Sequence, residues 1–350
     1  MNEIKIVTSK ERPRHPPEIR LERIGEFTVG HNDGITLGRS KARYIYVKGG
    51  DSKLNYDLNK NFDTWKKKED KLMKDITDWI MLQGPPDGKM KKSIYNADFV
   101  CFRGLLTKVG CAAFVNRNDS WEARAIKIDG IIYICEVPTP EELERRTKLT
   151  EKDELMCYYG HKFEQYVTSP TQPTDVPDTD APIGTADEFV TVYKATLYHE
   201  RSKLKVLYMG EVDCLTPDGE YIELKTTKGG LNLDRQFQKV CKWWLQSYLV
   251  KCDRIYVGHR TSEGFVYGIS KLGLNDQEFR SKMPMEQMMN QIASFLNTVK
   301  RFLENDDDSC TIRKTEGQIM VTRTERGNNH GIFSEEFRNY INTDRQSRSS

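Results

Sequence analysis

The amino-acid sequence predicts an α+β fold with a single domain, in which a central mixed β-sheet is flanked by helices. Three observations predict it. Segments whose apolar residues alternate with period two, as in half-buried strands, are interleaved with segments of helical periodicity. The 350 residues are an ordinary globular mixture, with 37% hydrophobic and 30% charged residues. Finally, the chain has no internal repeat and no obvious linker, which favours one domain over two.

The two ends of the chain differ from its middle. Residues 1–30 are predicted to form an irregular arm, because the proline-rich run 12–17 cannot join a helix or a central strand. Residues 344–350 are too polar to fold alone, so a disordered tail is predicted there. The domain between them, 31–343, includes the segment 168–186, whose Pro, Thr and Asp residues indicate a long exposed loop.

Local patterns predict the helices and strands in turn. Asp129-Gly130 has the turn chemistry of a hairpin between two alternating segments. The first predicted helix would carry a lysine-rich outer face formed by Lys66, Lys67 and Lys68. The predicted helices span 62–81, 151–167, 233–250 and 285–303. The predicted strands span 97–108, 123–137 (the hairpin), 206–215 and 221–227.

Composition limits the class of protein. The net charge is only +2, so a nucleic-acid partner would need a local basic surface rather than bulk charge. The eight cysteines are scattered without a C-x-x-C pair, which argues against a zinc site or a disulfide framework. No signal peptide and no apolar run of the ~20 residues that span a bilayer is present. We therefore expect a protein of the cytoplasm, the nucleus or both, with no membrane partner.

Two neighbouring strands bring acidic residues together. Period two places Glu211 and Asp213 on one face of the first strand, and Glu223 and Lys225 on one face of the second. Pro217-Asp218-Gly219 between them has the chemistry of a three-residue hairpin loop. That loop sets Asp213 opposite Glu223 and Glu211 opposite Lys225, so all four side chains would converge. A two-residue loop would instead send Glu223 to the other face.

Clustered carboxylates need a reason, because opposed like charges destabilise a hairpin. A hard divalent cation such as Mg²⁺ or Mn²⁺ supplies one, since these ions prefer oxygen ligands. The competing interpretation is an exposed hairpin whose mixed charges are partly paired. The pattern alone leaves both interpretations open.

Two helices add polar candidates. Glu164 follows Gly160 by one turn on the helix 151–167, where a missing side chain would leave room for a metal ion or a phosphate. A tolerated glycine at a helix contact, beside a solvent-facing Glu164, explains the spacing equally well. Lys242 and Gln246 share a face of the helix 233–250 and could touch a phosphodiester backbone, while the neighbouring tryptophans are better explained as core.

Five motifs stand in order over roughly 95–250. They are Asp98-Phe99-Val100-Cys101-Phe102-Arg103-Gly104-Leu105-Leu106-Thr107-Lys108, Gly160-His161-Lys162-Phe163-Glu164-Gln165-Tyr166, Gly210-Glu211-Val212-Asp213-Cys214-Leu215, Tyr221-Ile222-Glu223-Leu224-Lys225-Thr226 and Lys242-Trp243-Trp244-Leu245-Gln246-Ser247. Together, and in this order, they resemble the DXO family of RNA 5′-end decapping enzymes and exoribonucleases. The pattern Asp213…Glu223-x-Lys225 is similar to the PD-(D/E)xK nuclease signature, so the resemblance implies a PD-(D/E)xK nuclease-like core.

The resemblance implies a role for each matching position. Two Mg²⁺ or Mn²⁺ ions would be held by the carboxylates and by the backbone carbonyl of Leu224. Arg103 would contact RNA backbone phosphates, and Lys225 and Gln246 would contact the scissile phosphate or the attacking water. Glu164 would border the substrate as well as the metal. The implied ligands and catalytic residues are Glu164, Glu211, Asp213, Glu223, Leu224 and Lys225.

The resemblance also implies the reaction. Members remove incomplete or non-standard caps (an unmethylated guanosine cap or an NAD cap) or a 5′ triphosphate, leaving 5′-monophosphate RNA, and several degrade the RNA 5′ to 3′. Two positions depart from the family pattern: His161 stands where Tyr is usual, and Phe102 where Trp is usual. His161 is expected to adjoin no metal ligand, so activity should survive.

Two other functions remain open. One is a DNA nuclease on a related core, which the motifs at Arg103 and Gln246 disfavour. The other is a weakly active or inactive partner protein that supports a separate 5′-3′ exoribonuclease. The presence of all four acidic residues argues against a loss of chemistry.

Overall fold

The structure is a computed structural model, and it describes residues 2–30, 34–47, 54–65, 70–84, 90–170, 174–183 and 187–347. The predicted outer face at Lys66, Lys67 and Lys68 lies outside these residues, as do parts of the predicted loop 168–186.

The described part of the chain alternates strands with helices throughout. Its helices are α1 (Lys74–Leu82), α2 (Met90–Ser93), α3 (Arg103–Gly110), α4 (Pro140–Thr147), α5 (Glu151–Val167), α6 (Phe237–Leu249), α7 (Gln277–Lys282), α8 (Met285–Phe302) and α9 (Glu335–Ser347). Its strands are β1 (Glu3–Val7), β2 (Glu18–Val29), β3 (Ile35–Leu37), β4 (Tyr44–Ile45), β5 (Tyr56–Asp57), β6 (Phe99–Phe102), β7 (Trp121–Ile128), β8 (Ile131–Val137), β9 (Thr168–Ser169), β10 (Glu188–His199), β11 (Ser202–Glu211), β12 (Cys214–Leu215), β13 (Tyr221–Lys228), β14 (Arg254–Arg260), β15 (Phe265–Gly273), β16 (Ser309–Thr315) and β17 (Gln318–Arg323).

Two mixed sheets organise these strands, so the predicted α+β class is confirmed. Among the described residues, the larger sheet has ten strands in the order β1-β17-β16-β7-β8-β6-β11-β10-β2-β3. The smaller has seven, in the order β5-β15-β14-β13-β12-β4-β9. The prediction of one central sheet is wrong. The chain instead leaves the larger sheet at the end of β11 and enters the smaller one at β12.

Helices cover both faces of each sheet. Apolar residues of α3, α6 and α8 form the largest hydrophobic cluster, which lies between the two sheets. Helices α1 and α9 pack on the opposite face of the larger sheet. Helix α5 packs on the outer face of the smaller one, through Tyr159, Phe163 and Val167. Trp243 and Trp244 are buried in the central cluster, as the core interpretation predicted.

The predictions for the two chain ends are wrong. Residues 1–30 are not irregular, because β1 pairs with β17 and β2 pairs with β10 along most of its length. The prolines interrupt the segment between the two strands, and the partner strands lie far away in sequence. At the other end, α9 continues to Ser347, so 344–347 belong to a helix rather than to a disordered tail.

Several predicted elements needed new boundaries. The predicted strand 97–108 ends at Phe102, and α3 begins at Arg103, because Leu105, Leu106 and Val109 bury one face of a helix against α6 and α8. Of the predicted helix 62–81, the structure describes a 3-10 turn at Phe62–Thr64 and then α1. The hairpin around Asp129-Gly130 and the helix 151–167 are confirmed. No helix within the described residues combines the length and apolarity needed to cross a membrane.

Candidate active site

The predicted carboxylates Glu211 and Asp213 lie where the chain passes from the larger sheet to the smaller one. Glu211 ends β11 in the larger sheet, opposite Val190 of β10. Asp213 follows it just before β12 in the smaller sheet. The Thr216 amide donates to the Glu220 carbonyl at 2.8 Å, which closes the predicted three-residue loop. In the register that this loop sets, Cys214 lies opposite Ile222.

That register confirms half of the predicted pairing. Continuing it by one residue sets Asp213 opposite Glu223, and Asp213 accepts the Leu224 amide proton at 2.6 Å. The predicted opposition of Glu211 and Lys225 is wrong, because Glu211 belongs to the other sheet. Glu211 is instead brought to the site by the turn of the chain between the sheets.

Two cations compensate Glu223. Its carboxylate is 1% exposed, and it accepts hydrogen bonds from Lys225 Nζ at 2.5 Å and from Arg103 Nη1 at 3.3 Å. Burial by itself would raise the pKa of Glu223, but Lys225 and Arg103 together outweigh it and lower that pKa. Burial likewise opposes the charge on Lys225, yet Glu223 and Asp213 raise its pKa. Glu223 is therefore an ionised anchor in a charge-assisted cluster.

Asp213 and Glu211 lack such compensation. Burial and the neighbouring Glu223 raise the pKa of Asp213 to about 8, although Lys225 acts against that rise. Burial, Glu188 and Asp213 raise the pKa of Glu211 well above its usual range. Glu211 is nevertheless open to solvent, because it faces a cavity. These two carboxylates hold negative charge at a cost that a bound cation would remove.

Arg103 reaches the carboxylates by crossing a glycine. It is the first residue of α3 and is 11% exposed. A Cβ atom on Gly210 would lie 2.8 Å from Arg103 Cδ and 3.0 Å from its Nε. Gly210, in the strand that carries Glu211, therefore leaves the path that the guanidinium needs. The attraction of Glu223 and Asp213 raises the pKa of Arg103 against the effect of its burial.

A cavity of about 250 Å³ opens beside the uncompensated carboxylates. Helix α5 contributes Glu164 to its wall, and Arg43 and Lys41 line the same cavity. Glu164, Glu211 and Asp213 therefore come together as predicted. Glu188, at the start of β10, also lines this cavity and was not among the predicted residues. Its strand was not predicted, so no sequence signal marked it.

The position of His161 differs from the expectation that it adjoins no metal ligand. Its Nδ1 lies 3.8 Å from Glu164 Oε2, and its ring lines the same cavity. The nearby carboxylate of Glu164 raises the pKa of the His161 imidazole. The spacing i, i+3 places both residues on one helix face, a signal that the sequence contained.

The positions of the remaining candidate residues say less about their roles. Gln246 is half-buried on α6, and the structure describes no hydrogen bond that would define its role. Lys242 donates to Asp119 at 2.9 Å beside a separate groove. Gly160 has open space where a Cβ atom would stand, so no close contact requires a glycine there.

The donor set fits a divalent cation. Six carboxylates line the cavity, and oxygen ligands are those that Mg²⁺ and Mn²⁺ take. They belong to Glu164, Asp178, Asp187, Glu188, Glu211 and Asp213. In the described residues, no three acidic, His or Cys side chains already stand at metal-binding distances. Glu223 explains part of this, since its oxygens are held by Lys225 and Arg103. Binding would require these side chains to turn toward the ion.

A family model described as RAI1-like PD-(D/E)XK nuclease matches residues 20–338. The chain belongs to this family. It is therefore a hydrolase of the nuclease class, and the resemblance to the DXO family is confirmed. Decapping nuclease dom-3 of Caenorhabditis elegans is 35% identical over 329 residues, which cover 91% of this chain and 81% of that protein.

Other members of the RAI1-like family agree. Decapping and exoribonuclease protein Rai1 of Drosophila melanogaster is 28% identical over 267 residues, covering 71% of this chain and 69% of that protein. Rai1 of Scheffersomyces stipitis, solved in complex with (3′-NADP)⁺ and a calcium ion, superposes with a TM-score of 0.79 at 18% identity. Rai1 of Candida albicans, solved with pU5 and Mn²⁺, superposes with a TM-score of 0.77 at 15% identity. Each of these two structural comparisons covers 97% of this chain and 100% of the other protein. Together they establish the shared fold.

Proposed function

We propose that this RAI1-like nuclease is a divalent-metal-dependent hydrolase of RNA 5′ ends. It removes incomplete or non-standard caps, such as an unmethylated guanosine cap or an NAD cap, or a 5′ triphosphate, and leaves 5′-monophosphate RNA. The observation that carries the proposal is the group of uncompensated carboxylates beside a lysine and an arginine. The ligands of the two Rai1 structures, an RNA oligonucleotide with Mn²⁺ and a dinucleotide with Ca²⁺, support this substrate class.

The chain's own residues have separate roles in this proposal. Glu164, Glu211, Asp213 and Glu223, with the Leu224 carbonyl, hold two Mg²⁺ or Mn²⁺ ions. When bound, such ions acidify water and neutralise charge on the attacking and leaving oxygens.

Lys225 and Arg103 place positive charge where a phosphate would enter. In the structure both cations are paired with Glu223. If Glu223 held a metal ion, Lys225 would be free to hold the attacking water or the scissile phosphate. Arg103 then contacts the RNA backbone, and Gln246 supplies a further polar contact to the scissile phosphate. Catalysis is thus proposed to rest on Glu211, Asp213, Glu223 and Lys225.

The proposal extends to 5′-3′ decay of the RNA and to the cellular context. We propose that 5′-3′ exoribonuclease activity accompanies end removal, in RNA quality control in the cytoplasm, the nucleus or both. The competing function is a weakly active or inactive partner protein that supports a separate 5′-3′ exoribonuclease. That function requires no turnover by this chain, so measured hydrolysis separates the two.

The test uses RNAs of one sequence with different 5′ ends: an unmethylated guanosine cap, a methylated cap, an NAD cap, a triphosphate and a monophosphate. Each is incubated with the full chain and Mg²⁺ or Mn²⁺. We expect metal-dependent release of a cap or pyrophosphate, and decay of the monophosphate RNA. The Asp213→Ala variant should lose these activities while remaining folded.

A matched variant controls for the loss of an acid near the hairpin. Asp218 lies exposed in the 217–219 loop, away from the carboxylate group. Asp218→Ala should therefore keep full turnover. Full metal-dependent turnover by both Asp213→Ala and Glu211→Ala would refute the site assignment. Silence of the wild-type protein on every RNA, with metal still bound, would favour the partner function.

A further inference from the structure

His161 lies at the mouth of the carboxylate cavity without a structural task of its own. Its side chain is 48% exposed, and its Nδ1 stands 3.8 Å from Glu164 Oε2. The Trp65 ring is a loose neighbour, with 6.0 Å between ring centroids. A histidine that stabilised the fold would be expected to be buried, whereas His161 is exposed and its polar neighbour is Glu164 itself.

The distance between the two donor atoms suits a shared ion. Two ligands that each stand about 2.1 Å from one metal ion are roughly 3.0 Å apart at a right angle and about 3.6 Å apart at 120°. The 3.8 Å between His161 and Glu164 is close to this range, and an exposed side chain can turn to close the gap. Asp213 and Glu188 line the same cavity, and their charges act on the His161 ring.

The chemistry of the ring then matters for the choice of metal. Carboxylate and carbonyl oxygens suit Mg²⁺ and Mn²⁺ alike, whereas imidazole suits transition metals and contributes little to binding of Mg²⁺. Adding one nitrogen ligand to an oxygen site therefore favours Mn²⁺ over Mg²⁺.

We propose that His161 is a metal ligand beside Glu164, and that it makes the site of this chain selective for Mn²⁺ over Mg²⁺. The inference rests on the proposed function, because it needs a divalent ion in the carboxylate cavity.

The test measures binding rather than turnover. Wild-type protein, His161→Phe and the control His15→Phe are each titrated calorimetrically with MnCl₂ and with MgCl₂. Phe keeps the aromatic ring but removes the nitrogen donor, and His15 is an exposed residue of the segment before β2. We expect His161→Phe to weaken Mn²⁺ binding roughly tenfold or more, the size of effect seen when support of a metal site is removed. Binding of Mg²⁺ should change by no more than about threefold. His15→Phe should change neither.

A spectroscopic measurement separates a ligand from a positioning residue. Pulsed electron paramagnetic resonance of the Mn²⁺-loaded wild type should show coupling to a directly bound nitrogen, and His161→Phe should lack it. Absence of this coupling in the wild type, or equal weakening of both ions in His161→Phe, would overturn the inference while leaving the proposed function intact. A wild-type protein that bound neither ion would overturn both.

Discussion

At the scale of single residues, charge compensation divides the acidic group in two. Glu223 is held ionised by Lys225 and Arg103. Burial raises the pKa values of Asp213 and Glu211, and the neighbouring carboxylates raise them further, because no cation compensates these two groups fully. A divalent ion would stabilise Asp213 and Glu211 most, since it replaces their repulsion by attraction.

This imbalance predicts how stability depends on pH in metal-free protein. The pKa of Asp213 is about 8 in the fold, against about 3.9 for an unperturbed Asp. Between these pH values the folded state binds more protons than the unfolded state, so the free energy of unfolding falls as pH rises. We expect the melting temperature in EDTA to fall from pH 5 to pH 8 more steeply in the wild type than in Asp213→Asn, by about 2 °C or more.

Mn²⁺ should remove that difference in slope. Metal ligands must be deprotonated to bind, so the stabilisation that Mn²⁺ provides grows as pH rises. Equal slopes for the wild type and Asp213→Asn in EDTA would show that the pKa of Asp213 is not raised in the folded protein.

A second prediction concerns the glycine under Arg103. Gly210→Ala would place a methyl group 2.8 Å from Arg103 Cδ, so the arginine must move away from Glu223. Such overpacking costs about 1–3 kcal/mol, measurable by urea unfolding, and hydrolysis of capped RNA should fall with it. Gly160→Ala is the control, because nothing lies within 4 Å of the added methyl group and a mid-helix Ala should stabilise by roughly 0.5–1 kcal/mol. Unchanged stability and activity in Gly210→Ala would show that the Arg103 side chain does not depend on the open space at Gly210.

At the scale of elements, α5 determines where Glu164 stands. Its first turn is closed by a capping box between Thr150 and Asp153. Its middle is set by Phe163, which packs against β14 where Gly258 leaves room: a Cβ atom there would lie 2.6 Å from the Phe163 ring. The helix can therefore lie close enough to the smaller sheet to bring Glu164 to the cavity.

This contact yields a rescue experiment. Gly258→Ala should push α5 outward, lower the free energy of unfolding by about 1–3 kcal/mol and reduce turnover, because Glu164 moves with the helix. The double variant Gly258→Ala with Phe163→Leu relieves the clash and should recover part of both losses. Double-mutant analysis of urea unfolding and initial rates provides the measurement. Additive losses in the double variant would argue against this coupling.

At the scale of the whole molecule, the site needs both sheets. Glu211 belongs to the larger sheet and Glu223 to the smaller, and the chain between β11 and β12 joins them. The largest hydrophobic cluster lies between the sheets and holds their relative position. The β1 edge of the larger sheet, by contrast, lies far from the candidate active site.

Removing that edge should separate stability from activity. Deletion of residues 1–10 removes β1, with buried Ile6 and half-buried Ile4, and uncovers β17. We expect a loss of roughly 1–3 kcal/mol in the free energy of unfolding, after the entropy of ordering the strand is subtracted. Six strand spacings, roughly 29 Å, separate β1 from β11, so turnover on capped RNA should be unchanged below the melting temperature. A truncated protein that was stable but inactive would place part of the site in the arm.

The sequence by itself determined the local features. The three-residue loop set Asp213 opposite Glu223, because turn chemistry and register act over a dozen residues. Periodicity and a capping pattern determined α5, and hence the presence of Glu164 on a helix. Motif order determined the family.

Only the tertiary structure decided the rest. It placed Glu211 in a different sheet from Glu223, started a helix at Arg103, paired the N-terminal arm as β1 and β2, and turned His161 and Glu188 into the cavity. These outcomes depend on pairing and packing between segments far apart in sequence. Their free energy comes from burial against distant partners, so no local pattern records them.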